Sequence, residues 1–257
     1  MKWINELHVG DCVELMGQMT PASVDLVVTS PPYDDLRQYR DSKPFDCAAL
    51  ALALWGVMKP GGVVVWVTAD KTIKGSESLS SFRHALIFCE AGFRLHDTMI
   101  YHKQNPIPMN HNRYEQAFEY MFVFSKGKPK TFNPIRVPIL SPRPTQQDLH
   151  HVKNYRRGNK KRGHRPDKIR SNIWSYNIGK GCSTKDVEAF DHPAIFPDQL
   201  AADHIITWTV PGDLVLDPMC GSGTTPTMAA QLGRTYLGFD LSPDYIDIAR
   251  RRLARFY

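Results

Sequence analysis

The segment Thr29-Ser30-Pro31-Pro32-Tyr33 brings a hydroxyl, two prolines and an aromatic ring together just past a nearly continuous apolar run, Val24-Asp25-Leu26-Val27-Val28. Such a run reads as a strand covered on both faces, and α/β sheets place their chemistry at the carboxyl ends of strands. Ser30 Oγ can accept one hydrogen bond and the Pro31 carbonyl a second. Proline has no N–H and fixes φ, so the carbonyls are held with few competing donors. Two acceptors on the N–H groups of an exocyclic amine would favour a pyramidal nitrogen. Its lone pair, otherwise delocalised into the ring of adenine or cytosine, would then face an incoming methyl group. Tyr33 can stack on a base removed from a helix. Taken alone, however, Pro31-Pro32 reads more simply as a rigid turn after a strand.

A second constellation is Asp213-Leu214-Val215-Leu216-Asp217-Pro218-Met219-Cys220-Gly221-Ser222-Gly223-Thr224-Thr225. It predicts a strand ending at Asp217, a tight glycine turn, and a helix starting near Thr224. Glycines such as Gly221 and Gly223 let the backbone approach a ligand, and a helix N-terminus offers free N–H groups to a carboxylate or phosphate. Asp240, closing the next strand in Gly238-Phe239-Asp240, is placed to take two ribose hydroxyls. No Lys follows Gly223, as a phosphate-binding P-loop requires, and the third glycine of a dinucleotide fold is missing near Pro226. A nucleoside carrying an amino-acid tail needs only the turn, the helix end and the ribose acid. S-adenosylmethionine fits best on that count.

The elements that must hold these two ends alternate strand and helix, the pattern of an α/β sheet. Strands are expected at 8–10, 24–29, 63–68, 98–102, 121–125, 214–217 and 236–239, and helices at 47–58, 80–91, 199–207, 224–232 and 243–255. Lys59-Pro60-Gly61-Gly62 is expected to stop the first long helix before the next strand. Asp244 and Asp247 early in the last helix, and Arg250-Arg251-Arg252 late in it, suit the helix dipole. Residues 134–170 break the rhythm with five prolines and the tract Lys153-Asn154-Tyr155-Arg156-Arg157-Gly158-Asn159-Lys160-Lys161-Arg162. Residues 126–175 carry fourteen Lys and Arg against Asp148 and Asp167, a net +12 that leaves the rest of the 257-residue chain at −6. A basic segment on an acidic body suits a polyanionic partner; a solvated loop is the plain alternative.

Composition excludes other classes. Five cysteines form no CxxC pair and the ten histidines no ligand spacing, so no metal site is expected. The apolar runs are strand-sized, short of a membrane span, and residues 1–10 do not read as a signal peptide. Reduced thiols and a cytoplasmic location are the expectation. No cysteine follows a proline, which disfavours the Pro-Cys nucleophile of cytosine-5 methyltransferases. Large aromatics such as Trp174 are more often core than site.

With these residues in view, the chain resembles the amino-methyltransferases of DNA, the N4-cytosine and N6-adenine enzymes. Ser30-Pro31-Pro32-Tyr33 matches the family tetrapeptide [DNS]PP[YFW], and the segment from Asp217 to Thr225, with Pro218, Gly221, Gly223 and Thr224, is similar to its cofactor loop. His192-Pro193-Ala194-Ile195-Phe196-Pro197 looks like the segment wrapping the cofactor's methionine part, which implicates Pro193 and Phe196. Gly10-Asp11-Cys12 looks like the motif whose acid meets the cofactor adenine, although an acid there is also a common helix cap. Residues 105–127 are similar to the family's segment beside the target-base pocket. The catalytic motif precedes the cofactor loop with the basic lobe between, the order of the β class. The resemblance implies a class I, Rossmann-like methyltransferase fold as a single domain: a catalytic half over 1–127, a target-recognition insertion over 128–175 and a cofactor-binding half over 176–257. It further implies that Lys153, Arg156, Arg157, Lys160, Lys161, Arg162 and Arg165 meet double-stranded DNA, that the enzyme is a homodimer, and that a base is flipped for methylation. The length leaves no room for a nuclease. Ser30 is more frequent in cytosine-N4 enzymes and Asp in adenine-N6 enzymes, but both bases stay open. Methylation of RNA or a protein amide, and an idle DNA-binding module of the same fold, are the other readings.

Overall fold

The computed structural model describes residues 3–32, 45–106, 112–139, 166–179, 181–186, 188–189 and 195–256. The described elements are β1 (Glu6–Val9), α1 (Cys12–Met16), β2 (Val24–Thr29), α2 (Cys47–Val57), β3 (Met58–Thr68), β4 (Thr72–Ile73), β5 (Ser76–Glu77), α3 (Ser80–Glu90), β6 (Arg94–Lys103) and β7 (Phe118–Ser125). They continue with β8 (Arg136–Pro138), β9 (Asp167–Ile169), β10 (Ile173–Tyr176), α4 (Asp198–Trp208), β11 (Leu214–Asp217), α5 (Thr224–Gln231), β12 (Thr235–Asp240) and α6 (Pro243–Leu253). Two compact units result: one joins Met1–Asn133 to Asn172–Tyr257, the other is Pro134–Ser171.

The first unit holds an eight-stranded sheet in the order β1-β12-β11-β2-β3-β7-β6-β10. Only the β7 pairings, with β3 and β6, are antiparallel; the others are parallel. This is the mostly parallel, Rossmann-like sheet expected. From β2 the chain steps through α2 to β3 on one side, and from β11 through α5 to β12 on the other. The adjacent strands β11 and β2 therefore form the topological switch point, where a crevice opens at the carboxyl ends of the strands.

The sequence dictates these elements locally. β2 is buried throughout, as the run Leu26-Val27-Val28 demands of a central strand. Asp46 caps α2 by accepting hydrogen bonds from the Ala48 and Ala49 amides, each at 3.0 Å, and Leu50, Ala51 and Leu54 bury its inner face. Trp66 at the sheet centre is fully buried against Phe88, with ring centroids 4.8 Å apart, and its Nε1–H donates to His84 Nδ1 at 3.3 Å. Each such buried large side chain contributes about 1.5–3 kcal/mol.

α2 ends at Val57, within a residue of the bound expected before Lys59-Pro60-Gly61-Gly62, but β3 begins at Met58, earlier than the expected start at Val63. The chain turns at Met58 and enters β3 at once, because Met58 already pairs with Val24 and the register then shifts before Leu26 meets Val63. Gly61, at φ 80°, sits inside this irregular stretch, its amide donating to the Lys126 carbonyl at 2.7 Å. Asp25 fills the irregularity, accepting from Lys59 Nζ at 2.6 Å and from the Leu214 amide at 3.0 Å. β10, placed within the insertion by the sequence reading, pairs with β6 in the main sheet instead. Trp174 on β10 is core, its ring 4.6 Å from that of His204.

In the second unit β8 and β9 pair antiparallel, and Arg136 Nε donates to Asp167 Oδ1 at 2.9 Å. The expected DNA contacts Lys153, Arg156, Arg157, Lys160, Lys161, Arg162 and Arg165 lie outside the described residues, as do Tyr33 and Pro193.

Candidate active site

The carboxyl ends of β1, β12, β11 and β2 lie side by side and carry Asp11, Asp240, Asp217 and Ser30 respectively. Asp217 is the hub. Its Oδ1 accepts a hydrogen bond from Thr29 Oγ1 at 2.7 Å and another from the Met219 amide at 3.1 Å. A second tie runs from Thr225 Oγ1 to the Val28 carbonyl at 2.9 Å. The end of the Ser30 strand is thus pinned at Val28 and at Thr29 to the residues that flank the glycine turn.

Burial raises the Asp217 carboxyl to a pKa of about 7, against the lowering effect of its hydrogen bonds from Thr29, Met219 and Thr225 and with a smaller push from Asp240. An acid whose folded pKa lies above its unfolded one destabilises the fold as pH rises. The cost is absent below the unfolded value of 3.8, grows between 3.8 and about 7, and is complete above that. Asp217→Asn keeps an acceptor for Thr29 and removes the charge. The variant is therefore expected to melt higher than wild type at pH 8 and equally at pH 4, as calorimetric scans at both pH values would measure.

The turn from Pro218 to Gly223 is shaped by backbone. Gly221 and Gly223 hold φ values of 49° and 79°, the left-handed region that glycine enters without strain. A Cβ on Gly223 would come within 2.6 Å of Ala249 Cβ, so α6 packs directly on the turn. Asp240 closes it from the neighbouring strand, accepting from the Gly221 amide and the Ser242 amide, each at 2.9 Å; burial raises its carboxyl above the ordinary range. Asp11 caps α1, with its Oδ1 accepting from the Val13 amide at 2.9 Å and the Glu14 amide at 3.3 Å. Burial first, and then the Asp11 charge, push the Cys12 thiol to about 12, which leaves it protonated and unreactive.

Ser30 is half-buried and Pro31 buried, with Pro32 half-exposed after them. Phe196 is half-buried just ahead of α4, whose cap is Pro197. Pro218 and Thr224 bracket the glycine turn as expected. The structure brings Ser30, Asp217, Gly221, Gly223 and Asp240 to one end of the sheet.

One residue does more than the helix-dipole role that the sequence suggested for it. Arg252 on α6 is fully buried, and its guanidinium donates from Nη1 to the Ser222 carbonyl at 2.8 Å and to Thr224 Oγ1 at 3.2 Å. Its Nε meets Asp186 Oδ2 at 2.9 Å and its Nη2 meets Asp198 Oδ1 at 3.1 Å. It fastens the glycine turn to the chain that runs into α4. The signal that could have found it was helical spacing: Arg252 falls three residues after buried Ala249 and beside buried Leu253, on the inward face.

The donor set suits a cationic nucleoside with an amino-acid tail. The buried carboxyl of Asp217 and the half-buried one of Asp240 face one end of the sheet, and a glycine turn leads into a helix N-terminus that favours a carboxylate. Among the described residues no group of His, Cys, Asp and Glu could hold a metal ion, and no helix is long and apolar enough to cross a membrane.

Comparison with known proteins agrees. A family model of the N6/N4 methyltransferases, described as DNA methylase, matches residues 24–251. The chain is 48% identical over 259 residues to the orphan methyltransferase M.BamHII of Bacillus amyloliquefaciens, covering 97% of this chain and 92% of that one. It is 27% identical to the type II methyltransferase M.BglII of Bacillus subtilis, covering 98% of this chain and 69% of the other. Its fold superimposes on the PvuII DNA methyltransferase (cytosine-N4-specific) with a TM-score of 0.71 at 23% identity, over 96% of this chain and 85% of that one. It also superimposes on a DNA modification methylase of Thermus thermophilus complexed with S-adenosyl-L-methionine, with a TM-score of 0.63 at 25% identity, over 97% and 95% of the two chains. The chain belongs to the N6/N4 DNA methylase family, and is a site-specific DNA methyltransferase that uses S-adenosylmethionine to methylate an exocyclic amino nitrogen.

Proposed function

We propose that Ser30 Oγ and the Pro31 carbonyl hold the two N–H groups of the target amine, and that cytosine N4 in duplex DNA is the acceptor. The observation that carries the site assignment is the 2.7 Å hydrogen bond from Thr29 to Asp217, which fixes the residue before Ser30 against the cofactor strand. When bound, the cofactor supplies an electrophilic methyl on a sulfonium. Ser30 and Pro31 would hold the amine with its lone pair directed toward the methyl that the cofactor supplies, and the proton lost by the nitrogen on methylation would pass to solvent. Asp240 and Asp11 meet the ribose and adenine, and the Gly221–Gly223 turn and Thr224 receive the carboxylate end. Phe196 and Pro193 flank the methionine part, and Tyr33 stacks on the flipped base. Lys153, Arg156, Arg157, Lys160, Lys161, Arg162 and Arg165 neutralise phosphates, which positions the enzyme without reading sequence. The working unit is a homodimer in the cytoplasm.

Cytosine is favoured by Ser30 standing where adenine enzymes more often carry Asp. The test is mass spectrometry of nucleosides from PCR-amplified duplex DNA treated with enzyme and cofactor. N4-methylcytosine is expected; N6-methyladenine would overturn the base assignment while leaving the amine mechanism intact.

A further inference from the structure

Directly after β3 the chain makes a feature that neither the mechanism nor the core uses. Strands β4 and β5 pair antiparallel, Thr72 with Glu77 and Ile73 with Ser76, around a two-residue turn in which Lys74 and Gly75 both have positive φ, 48° and 82°. Positive φ at both turn positions matches the twist of a tight hairpin. Every residue from Thr72 to Glu77 is exposed, and the Ile73 side chain remains 48% exposed although a folding chain gains nothing by presenting it.

A segment this exposed would ordinarily be loose, yet its base is locked. Asp70 Oδ1 accepts from Ser78 Oγ at 3.3 Å, Ser80 Oγ at 3.2 Å and the Ser81 amide at 3.0 Å. The Ser78 amide donates to the Lys71 carbonyl at 2.8 Å. The tip is held as well: Arg113 Nη2 donates to the Gly75 carbonyl, and its guanidinium lies 3.9 Å from Glu77. Beside Arg113, Tyr114 is 99% exposed. The result is a rigid projection carrying an aliphatic side chain, an exposed ammonium on Lys74 and an exposed phenol ring.

Its place identifies the partner. β3 lies next to β2 in the sheet and runs parallel to it, with Thr29 opposite Trp66. The hairpin therefore leaves the same sheet end as Ser30, from the adjacent strand, about 5 Å away in the sheet. Apolar wedges and aromatic faces beside cations are the chemistry by which proteins unstack and hold bases next to a phosphate backbone. We propose that the Thr72–Glu77 hairpin, with Tyr114 beside it, is a DNA-contacting element: Ile73 and Tyr114 pack on bases flanking the extruded nucleotide, and Lys74 meets a phosphate. This rests on duplex DNA being the substrate.

The test compares wild type with Ile73→Ser/Tyr114→Ala and with Lys74→Gln, using PCR-amplified duplex DNA and labelled cofactor. All three positions are exposed, so the variants are expected to melt with the wild type. The double variant should raise KM for DNA about ten-fold or more, in line with about 1–3 kcal/mol for each lost stacking contact, with calorimetric affinity for S-adenosylmethionine unchanged. Lys74→Gln should reduce the slope of log KM against log salt by about 0.9, the signature of one phosphate contact. Wild-type KM and salt slope in both variants would overturn the hairpin assignment alone. Absence of methyl transfer to duplex DNA by the wild type would instead overturn the substrate on which it rests.

Discussion

Ser30→Ala is expected to lower kcat for methyl transfer about 10²–10³-fold, equivalent to about 2.7–4 kcal/mol in the barrier, the usual worth of one preorganised polar partner in a transition state. The amine nitrogen develops positive charge as it forms the new bond, so an acceptor on its N–H strengthens in the transition state. Such an interaction shows in kcat more than in KM. The Pro31 carbonyl survives the substitution, so activity should fall rather than vanish. Affinity for S-adenosylmethionine, measured by calorimetry, should stay within about two-fold, because the cofactor strand is pinned through Thr29 and Asp217. Single-turnover kinetics decide the matter: a methyl-transfer rate within a factor of about three of wild type would remove Ser30 from the mechanism.

What could be read in the sequence was what a contiguous stretch encodes. The Asp217-to-Thr225 strand, turn and helix lie in thirteen residues with Asp213–Leu216, and β11 and α5 form within a residue of the expected bounds. The same holds for β2 and its polar end. The Thr72–Glu77 hairpin was not legible, since strands of two residues have no periodicity and Lys74-Gly75 lacks the usual Asn or Asp before glycine. β10 was missed because its four residues border the most basic stretch of the chain, and only a parallel partner far away, β6, makes them a strand. The helix stop before Lys59-Pro60 was legible to within a residue, but the early start of β3 was not, for a related reason. Pairing of Met58 with Val24 carries β3 back across the proline and glycines, which no local signal announces. The family resemblance did not help here, because it attaches to motifs and says little about the junctions between them.

Arg252 shows the opposite failure, a residue whose type hid its role, and its removal carries the largest expected stability cost. A buried guanidinium with two carboxylates is stable only as a set. Arg252→Met leaves Asp198, the Ser222 carbonyl and Thr224 Oγ1 without that donor, while Asp186 keeps Arg255 at 3.0 Å. Breaking a buried ion pair on one side costs about 3–5 kcal/mol, which for a chain of this size lowers Tm by roughly 6–20 °C. Lysine should restore little, because a point charge cannot span the Ser222 carbonyl and the two carboxylates at once. The discriminating measurement is a double-mutant cycle with Asp198→Asn. If the guanidinium and carboxylate form one network, the double variant should lose clearly less stability than the sum of the single losses, since Asn no longer needs a cation. The cofactor should register the change too. With the Ser222 turn no longer fastened to the chain entering α4, KM for S-adenosylmethionine should rise while the rate at saturating cofactor falls far less, because Ser30 is held by β2. A variant that melts with the wild type, or strictly additive losses across the cycle, would mean that the turn keeps its shape without Arg252.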